Sequence, residues 1–223
     1  MHDQARKFTE FVRDHFPGFF RGIKVLDVGS GDVNGNNRAL FNGCEYHGND
    51  VVEGENVTLV SRTKDLPFPP ETFDTIVSTE CFEHDPEYPD SFRKIYSLLK
   101  PGGLFLFTCA SLGRPEHGTS RALTSDSFAS RTGIEDMQDY YRNLTIDDIY
   151  NIVPLGSVFE EWRAYYHIGS SDLYFMGQKR GGVDAPTAWA LVPEYTPQLV
   201  VRAYPRHVYV IPPAFFADVI RQV

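Results

Sequence analysis

The most constraining stretch of this chain is Val25-Leu26-Asp27-Val28-Gly29-Ser30-Gly31, a short apolar run that breaks directly into a glycine-spaced turn. A mostly apolar run of this length, interrupted only by Asp27, fits a strand buried on both faces, as in the middle of a parallel sheet. Glycines without Cβ atoms let the following turn adopt positive φ and let a ligand approach the backbone closely. In an open α/β sheet such a turn lies at the carboxyl edge, where ligands bind. Alone, two glycines at this spacing are as readily a plain turn. Asp50, 19 residues after Gly31, ends a second run over Glu45 to Asp50. An acid at that remove is placed to accept hydrogen bonds from ribose hydroxyls; taken singly it would be a solvated turn residue.

The remaining pattern supports a sheet with alternating helices. Phe8, Phe11, Val12 and Phe16 fall at helical spacing over residues 3–16, and Pro17-Gly18 stops that helix. Strands are expected at 73–78 and 104–108, with a helix over 88–99 between them that Lys100-Pro101-Gly102-Gly103 ends. Thr145, followed by Asp147 and Asp148, reads as a helix N-cap. Two closing strands follow near 158–166 and 172–178. The order implies an α/β fold with a parallel sheet and helices on both faces. Residues 110–143 are irregular and polar, the character of a substrate-facing insert. Residues 1–182 form the expected domain. Residues 183–223 carry Pro186, Pro193, Pro197, Pro205, Pro212 and Pro213, yet stay apolar and aromatic. This extension is expected to pack on the domain or to build a homo-oligomer.

Bulk properties narrow the partners. The formal net charge is −9, and the longest basic cluster is Lys179-Arg180, so no basic stripe marks a nucleic-acid or anionic-membrane binder. No apolar run approaches the ~20 residues of a membrane span, and the start Met1-His2-Asp3-Gln4 lacks an apolar signal segment. Cys44, Cys81 and Cys109 form no CxxC pair and read as free thiols in a reducing compartment. The expected location is cytoplasmic.

Which nucleotide cofactor fits the turn is decided by one position. A dinucleotide fingerprint needs glycine at 34, to pack a pyrophosphate on a helix N-terminus; this chain has Asn34. S-adenosylmethionine carries no phosphate and tolerates that loss. Tyr96 and Lys100 match the Tyr-x-x-x-Lys of short-chain dehydrogenases, but Tyr96 falls on an apolar helix face and the run leads straight into Pro-Gly-Gly.

Asp27-Val28-Gly29-Ser30-Gly31, Asp65-Leu66-Pro67-Phe68, Phe73-Asp74-Thr75-Ile76-Val77-Ser78, Glu83-His84 and Leu99-Lys100-Pro101-Gly102-Gly103 occur in the order seen in class I S-adenosylmethionine-dependent methyltransferases. The chain resembles that family over about residues 23–109, and departs from it at Val33, where the family has a third glycine. The resemblance implies a Rossmann-like, mostly parallel seven-stranded sheet and S-adenosylmethionine as cofactor. It implies that Asp27, Gly29, Ser30 and Gly31 surround the methionine end, and that Asp50 holds the ribose with Val51 on the adenine. Asp65 and Leu66 would flank the adenine, with Thr79 and Glu80 beside the sulfonium. Gly31 to Arg38, Arg114 to Thr119 and Tyr140 to Thr145 are similar to methyltransferases associated with surface-glycan and polysaccharide synthesis, which implies a sugar or glycan hydroxyl as acceptor.

An oxygen acceptor loses a proton, so a general base is expected, and histidine suits neutral pH. His117 stands in the insert beside Glu116, which is expected to orient it or share its role; His84 follows the fourth strand. For either, the plain alternative is a hydrogen-bonded structural histidine. Arg114 and Arg142, with Tyr140 and Tyr141, are the expected substrate contacts. Asp85, Glu116 and His117 carry metal-ligating groups, but no spacing enforces a site, and no metal is expected. The competing readings are a quinone, lipid or other small-molecule methyltransferase, a cofactor-binding protein without turnover, and a nicotinamide oxidoreductase.

Overall fold

The computed structural model describes residues 1–182, Trp189 and the backbone of 208–211. In chain order it contains α1 (Asp3–His15), β1 (Lys24–Val28), β2 (Glu45–Asp50), β3 (Leu59–Val60), β4 (Phe73–Thr79), α2 (Tyr88–Leu98) and β5 (Leu99–Ala110). Three short helices follow, α3 (Phe128–Thr132), α4 (Ile146–Tyr150) and α5 (Leu155–Val158), then β6 (Phe159–His167), β7 (Asp172–Lys179) and β8 (Val208–Ile211).

The strands form one sheet in the order β3-β2-β1-β4-β5-β7-β6-β8. β1 to β5 run parallel with their neighbours, β7 is antiparallel to both β5 and β6, and β8 is parallel to β6. The expected mostly parallel sheet is thus present. It has eight strands instead of seven, because residues 208–211 of the proline-rich extension add an edge strand. Trp189, also from the extension, is buried against Phe16, with its indole N–H donating to Gln178 Oε1 at 3.1 Å. The other residues expected to pack on the domain or on a second subunit, 183–188, 190–207 and 212–223, lie outside the described residues.

The apolar run of β5 shows why the sheet is covered on both sides. Successive strand residues point to opposite faces. Leu104 and Leu106 pack with Phe8, Phe11 and Val12 of α1, while Phe105 and Phe107 pack with Phe92 and Ile95 of α2. α4 and α5 add Ile146, Ile149 and Leu155 to that second layer. One boundary differs from expectation. β5 begins at Leu99, which pairs with Phe73; the register then shifts before Thr75 meets Leu104. Lys100 to Gly103 therefore form an irregularity inside the strand instead of a separate stop. Proline, which cannot donate to a ladder, is tolerated at such a point, and Gly102 takes φ +75° there. Thr145 caps α4 as expected, its N–H donating to the Asp148 carboxylate at 2.8 Å in a reciprocal capping box.

Phe107 is fully buried, with ring centroids 5.2 Å from Phe82 and 5.1 Å from Phe175. Phe107→Ala is expected to cost ~3–5 kcal/mol of folding stability, the range for a buried aromatic truncated to alanine. Urea denaturation measures it; a loss below about 1 kcal/mol would show that the second layer closes around the gap.

Candidate active site

A cavity of about 510 Å³ opens at the carboxyl ends of β1, β2 and β4. Its floor is the glycine turn. The N–H groups of Gly29 and Ser30 both donate to Asn49 O, at 2.8 and 2.9 Å, pinning the turn to β2. Gly29 takes φ +72°, and a Cβ there would lie 2.7 Å from Cys81. Gly31 N–H donates to Asp50 Oδ2 at 3.0 Å, and Val51 N–H to Asp50 Oδ1 at 2.7 Å. A Cβ on Gly31 would lie 1.8 Å from the Phe128 ring, so only glycine fits beneath it.

Asp27, at the end of β1, is almost fully buried. The Tyr46 hydroxyl donates to Oδ2, and Asn37 Nδ2 lies 3.4 Å from both carboxylate oxygens and 3.2 Å from Thr79 Oγ1. Burial pushes the Asp27 carboxyl up to about 7, against the hydrogen bonds from Tyr46 and Asn37 that lower it. Burial also raises Asp50, opposed by the Gly31 and Val51 N–H groups. A buried carboxylate facing a cavity lowers its own cost by meeting a cation.

Glu80 follows β4 with φ +55°, a left-handed conformation that few non-glycine residues adopt. Its Oε1 accepts from Thr108 Oγ1 at 2.7 Å, and its Oε2 lies 3.4 Å from His2 Nε2. His2 Nε2 is in turn 2.9 Å from Asp172 Oδ2. Burial lowers the His2 pKa, but Asp172 and Glu80 outweigh it and raise it to about 10.

The insert supplies the opposite wall. His84 and His117 meet edge to face, with ring centroids 5.1 Å apart, and the Tyr141 ring lies 5.6 and 5.0 Å from them. The Tyr141 hydroxyl donates to Pro115 O at 3.1 Å. Burial first, and His117 second, push the His84 pKa down to about 4. Arg114 lines the cavity and donates to Ser170 O at 2.8 Å.

Most expected site residues converge here. Asp27, Gly29, Ser30, Gly31, Asp50, Val51, Thr79, Glu80, His84, Arg114, Glu116 and His117 all line the one cavity. Asp65 and Leu66 do not. Asp65 ends a 3₁₀ turn over Thr63–Asp65 and is exposed, and Leu66 after it is buried in the core, so that Arg62 and Thr63 reach the cavity instead. Glu116 does not orient His117: its Oε1 accepts from Thr119 at 2.7 Å and from Arg121 Nε at 2.8 Å, while His117 Nδ1 lies 3.1 Å from Pro115 O. Arg142 pairs with Asp148 and lies over the Tyr88 ring; neither it nor Tyr140 nor Tyr141 lines the cavity. Sequence reasoning missed His2, Asn37, Phe128 and Asp172. Asn37 stood inside a quoted motif, but nothing in the order of residues marked its contact with Asp27.

Residues 1–142 match the family model described as a methyltransferase domain, and the chain belongs to that family. A sterol 24-C-methyltransferase of Eremothecium gossypii is 36% identical over 41% of this chain, which spans only 29% of that protein's length. A ubiquinone biosynthesis O-methyltransferase of Cereibacter sphaeroides is 26% identical over 65% of this chain and 64% of its own length. Among solved structures, the 1,6-didemethyltoxoflavin N1-methyltransferase of Burkholderia thailandensis, with bound 1,6-didemethyltoxoflavin and S-adenosylhomocysteine, superposes with a TM-score of 0.54 at 18% identity, covering 80% of this chain and 79% of that one. That likeness supports the fold alone. No helix among the described residues is long and apolar enough to cross a membrane.

The His84 ring is expected to stay neutral until the pH falls to about 4. Its folded pKa lies below the ordinary 6.5, so the unfolded chain takes up a proton first as pH falls. The stability contributed by the neutral ring is therefore lost progressively from about 6.5 down to about 4. Following the His84 ring resonances by NMR checks this; a midpoint near 6.5 would show a hydrated ring.

Proposed function

We propose that the chain transfers a methyl group from S-adenosylmethionine to a hydroxyl of a sugar or glycan. The observation that carries the cofactor half is the buried Asp27 carboxylate beside a glycine turn at the carboxyl edge of β1. The residues present fit this cofactor. Gly29 and Gly31 leave room where a Cβ would clash, Asp27 and Asn37 offer buried acceptor oxygens, and Asp50 keeps lone pairs for ribose hydroxyls. When bound, S-adenosylmethionine supplies the electrophilic methyl of a sulfonium. The chain's own residues align the acceptor, exclude water and accept its proton.

The acceptor half is read from its wall. Beyond His84 the cavity is lined by Arg114, Glu116, His117, Ser170 and Ser171. These groups hydrogen-bond a polyol, whereas a sterol or quinone ring calls for an apolar slot. The resemblance of Arg114 to Thr119 to glycan-associated methyltransferases supports the same reading. His117 is the base: it lines the cavity from the insert and is less buried than His84, whose ring it meets edge-on.

Two measurements test this reading. S-adenosylhomocysteine is expected to bind in calorimetry, and NAD not to. Its ammonium meets an ionised Asp27, so affinity falls as pH drops below about 7, where Asp27 takes a proton; Asp27→Asn removes that pH dependence. Tight NAD binding without S-adenosylhomocysteine binding would sink the reading.

With labelled S-adenosylmethionine and a panel of sugar nucleotides, glycans, quinones and lipids, label is expected in a sugar hydroxyl. His117→Ala lowers that turnover by ~10²–10⁴-fold at near-unchanged S-adenosylhomocysteine affinity. If His84→Ala alone abolishes turnover, the two histidines exchange roles; label found only in quinones or lipids refutes the sugar acceptor.

A further inference from the structure

His2 and Asp172 take no part in the reading above, and Glu80 enters it only as an expected neighbour of the cofactor. The cluster of the three brings together α1, the end of β4 and the start of β7, three elements distant in sequence. His2 Nε2 lies 2.9 Å from Asp172 Oδ2 and 3.4 Å from Glu80 Oε2, and all three atoms lie within 4.8 Å of one another. His2 is ion-paired with both carboxylates, although these atoms fall outside strict hydrogen-bond geometry. Asp172 is fully buried, and the Glu80 side chain is 10% exposed. One imidazole and two carboxylates that converge from three elements are also a donor set that a metal ion takes in place of the imidazole proton.

The spacing suits a metal ion. Ligand atoms about 2.1 Å from one cation stand roughly 3.0 Å apart at octahedral angles and roughly 3.4 Å apart at tetrahedral ones. The second atom of each ligand group is also held. His2 Nδ1 lies 3.0 Å from Gln4 Oε1, a shorter contact than the 3.4 Å to Ala5 N. Nδ1–H therefore donates to Gln4, which leaves Nε2 to ligate once its proton is displaced. Glu80 Oε1 is taken by Thr108, which leaves Oε2. Arg114 Nη1 lies 3.5 Å from Asp172 Oδ1, which leaves Oδ2. Orienting partners of this kind are the usual second layer of a metal site.

We propose that His2, Glu80 and Asp172 bind one divalent cation. Two carboxylates and one imidazole favour a borderline ion such as Mn²⁺, Fe²⁺ or Zn²⁺. His2 and Glu80 line the cavity, so the ion stands at its wall and offers its open positions to acceptor oxygens. The site itself rests on the geometry; only this role toward the acceptor rests on the proposed methyl transfer. The ion's charge also meets the demand of two carboxylates that share a little-hydrated space.

Titration of the metal-free protein with Mn²⁺ alone, by calorimetry and by the manganese paramagnetic resonance signal, tests the proposal. One ion is expected to bind per chain. His2→Ala and Asp172→Asn are each expected to weaken it at least about tenfold, since loss even of an orienting partner typically costs 10–100-fold. Circular dichroism and thermal unfolding, measured on the same samples, report whether each variant is folded; His2→Ala keeps the test decisive if Asp172→Asn fails to fold. His117→Ala, in the separate cluster of Glu83, His84 and His117, is expected to leave Mn²⁺ binding unchanged. Absence of Mn²⁺ binding at millimolar concentration, binding unaffected by His2→Ala, or binding lost in His117→Ala would each overturn the proposal. Because the titration needs neither cofactor nor acceptor, it can fail while methyl transfer stands, and the reverse.

Discussion

The position of β1 in the sheet is the constraint on which the rest depends. It pairs with β2 on one side and β4 on the other, both in parallel. The chain leaves β1 toward one neighbour and reaches the other only after β2 and β3 have been laid down. Two connections therefore depart in opposite directions from adjacent carboxyl ends, and a crevice must open between them. The glycine turn, Asp50 and Glu80 meet in that crevice because each ends one of the three strands. Backbone bonds from Gly29 and Ser30 to Asn49 then hold the turn rigidly against β2.

The crevice concentrates acids that would otherwise be solvated. Asp27, Glu80, Glu83 and Asp172 are all largely or wholly buried within or behind it. Burial pushes the Asp27 and Glu83 carboxyls above their usual range. A fold bears such a cost where cationic or hydrogen-bonding ligands repay it locally. The insert closes the opposite side with aromatic and imidazole rings, and Phe128 rests on Gly31. The cavity thereby has a glycine floor beside β1 and a polar wall that includes Arg114, Glu116, His117 and Ser170.

Much of this was legible in the residue order, and the exceptions share a cause. The helix over Asp3–His15 and the strand over Glu45–Asp50 follow from local periodicity and turn chemistry, which need no partner to be read. Asp65 and Leu66 stand outside the cavity because the 3₁₀ turn over Thr63–Asp65 leaves Asp65 in solvent and seats Leu66 in the core, a local turn that no apolar period announces. Glu116 was expected to serve His117 by adjacency. Neighbouring residues in a loop need not point together, and Arg121 holds the Glu116 carboxylate instead. Arg142 likewise found a partner, Asp148, that local reading did not set beside it as a rival to substrate.

What the residue order determined by itself was the class of fold and the meeting of the glycine turn, Asp27, Asp50 and Glu80 at one cavity. An apolar strand, a glycine turn and an acid at fixed remove are local patterns, and the parallel sheet they imply brings their ends together in one way. What only the tertiary structure decided was the other wall. Asp172 reaches the cavity region because β7 inserts antiparallel beside β5, pairing Ala110 with Asp172. His2 reaches it because α1 packs its phenylalanine face on the sheet and carries its first turn over the end of β4. Contacts between residues 170 positions apart are set by strand order and helix packing, and no period or motif in the chain encodes them.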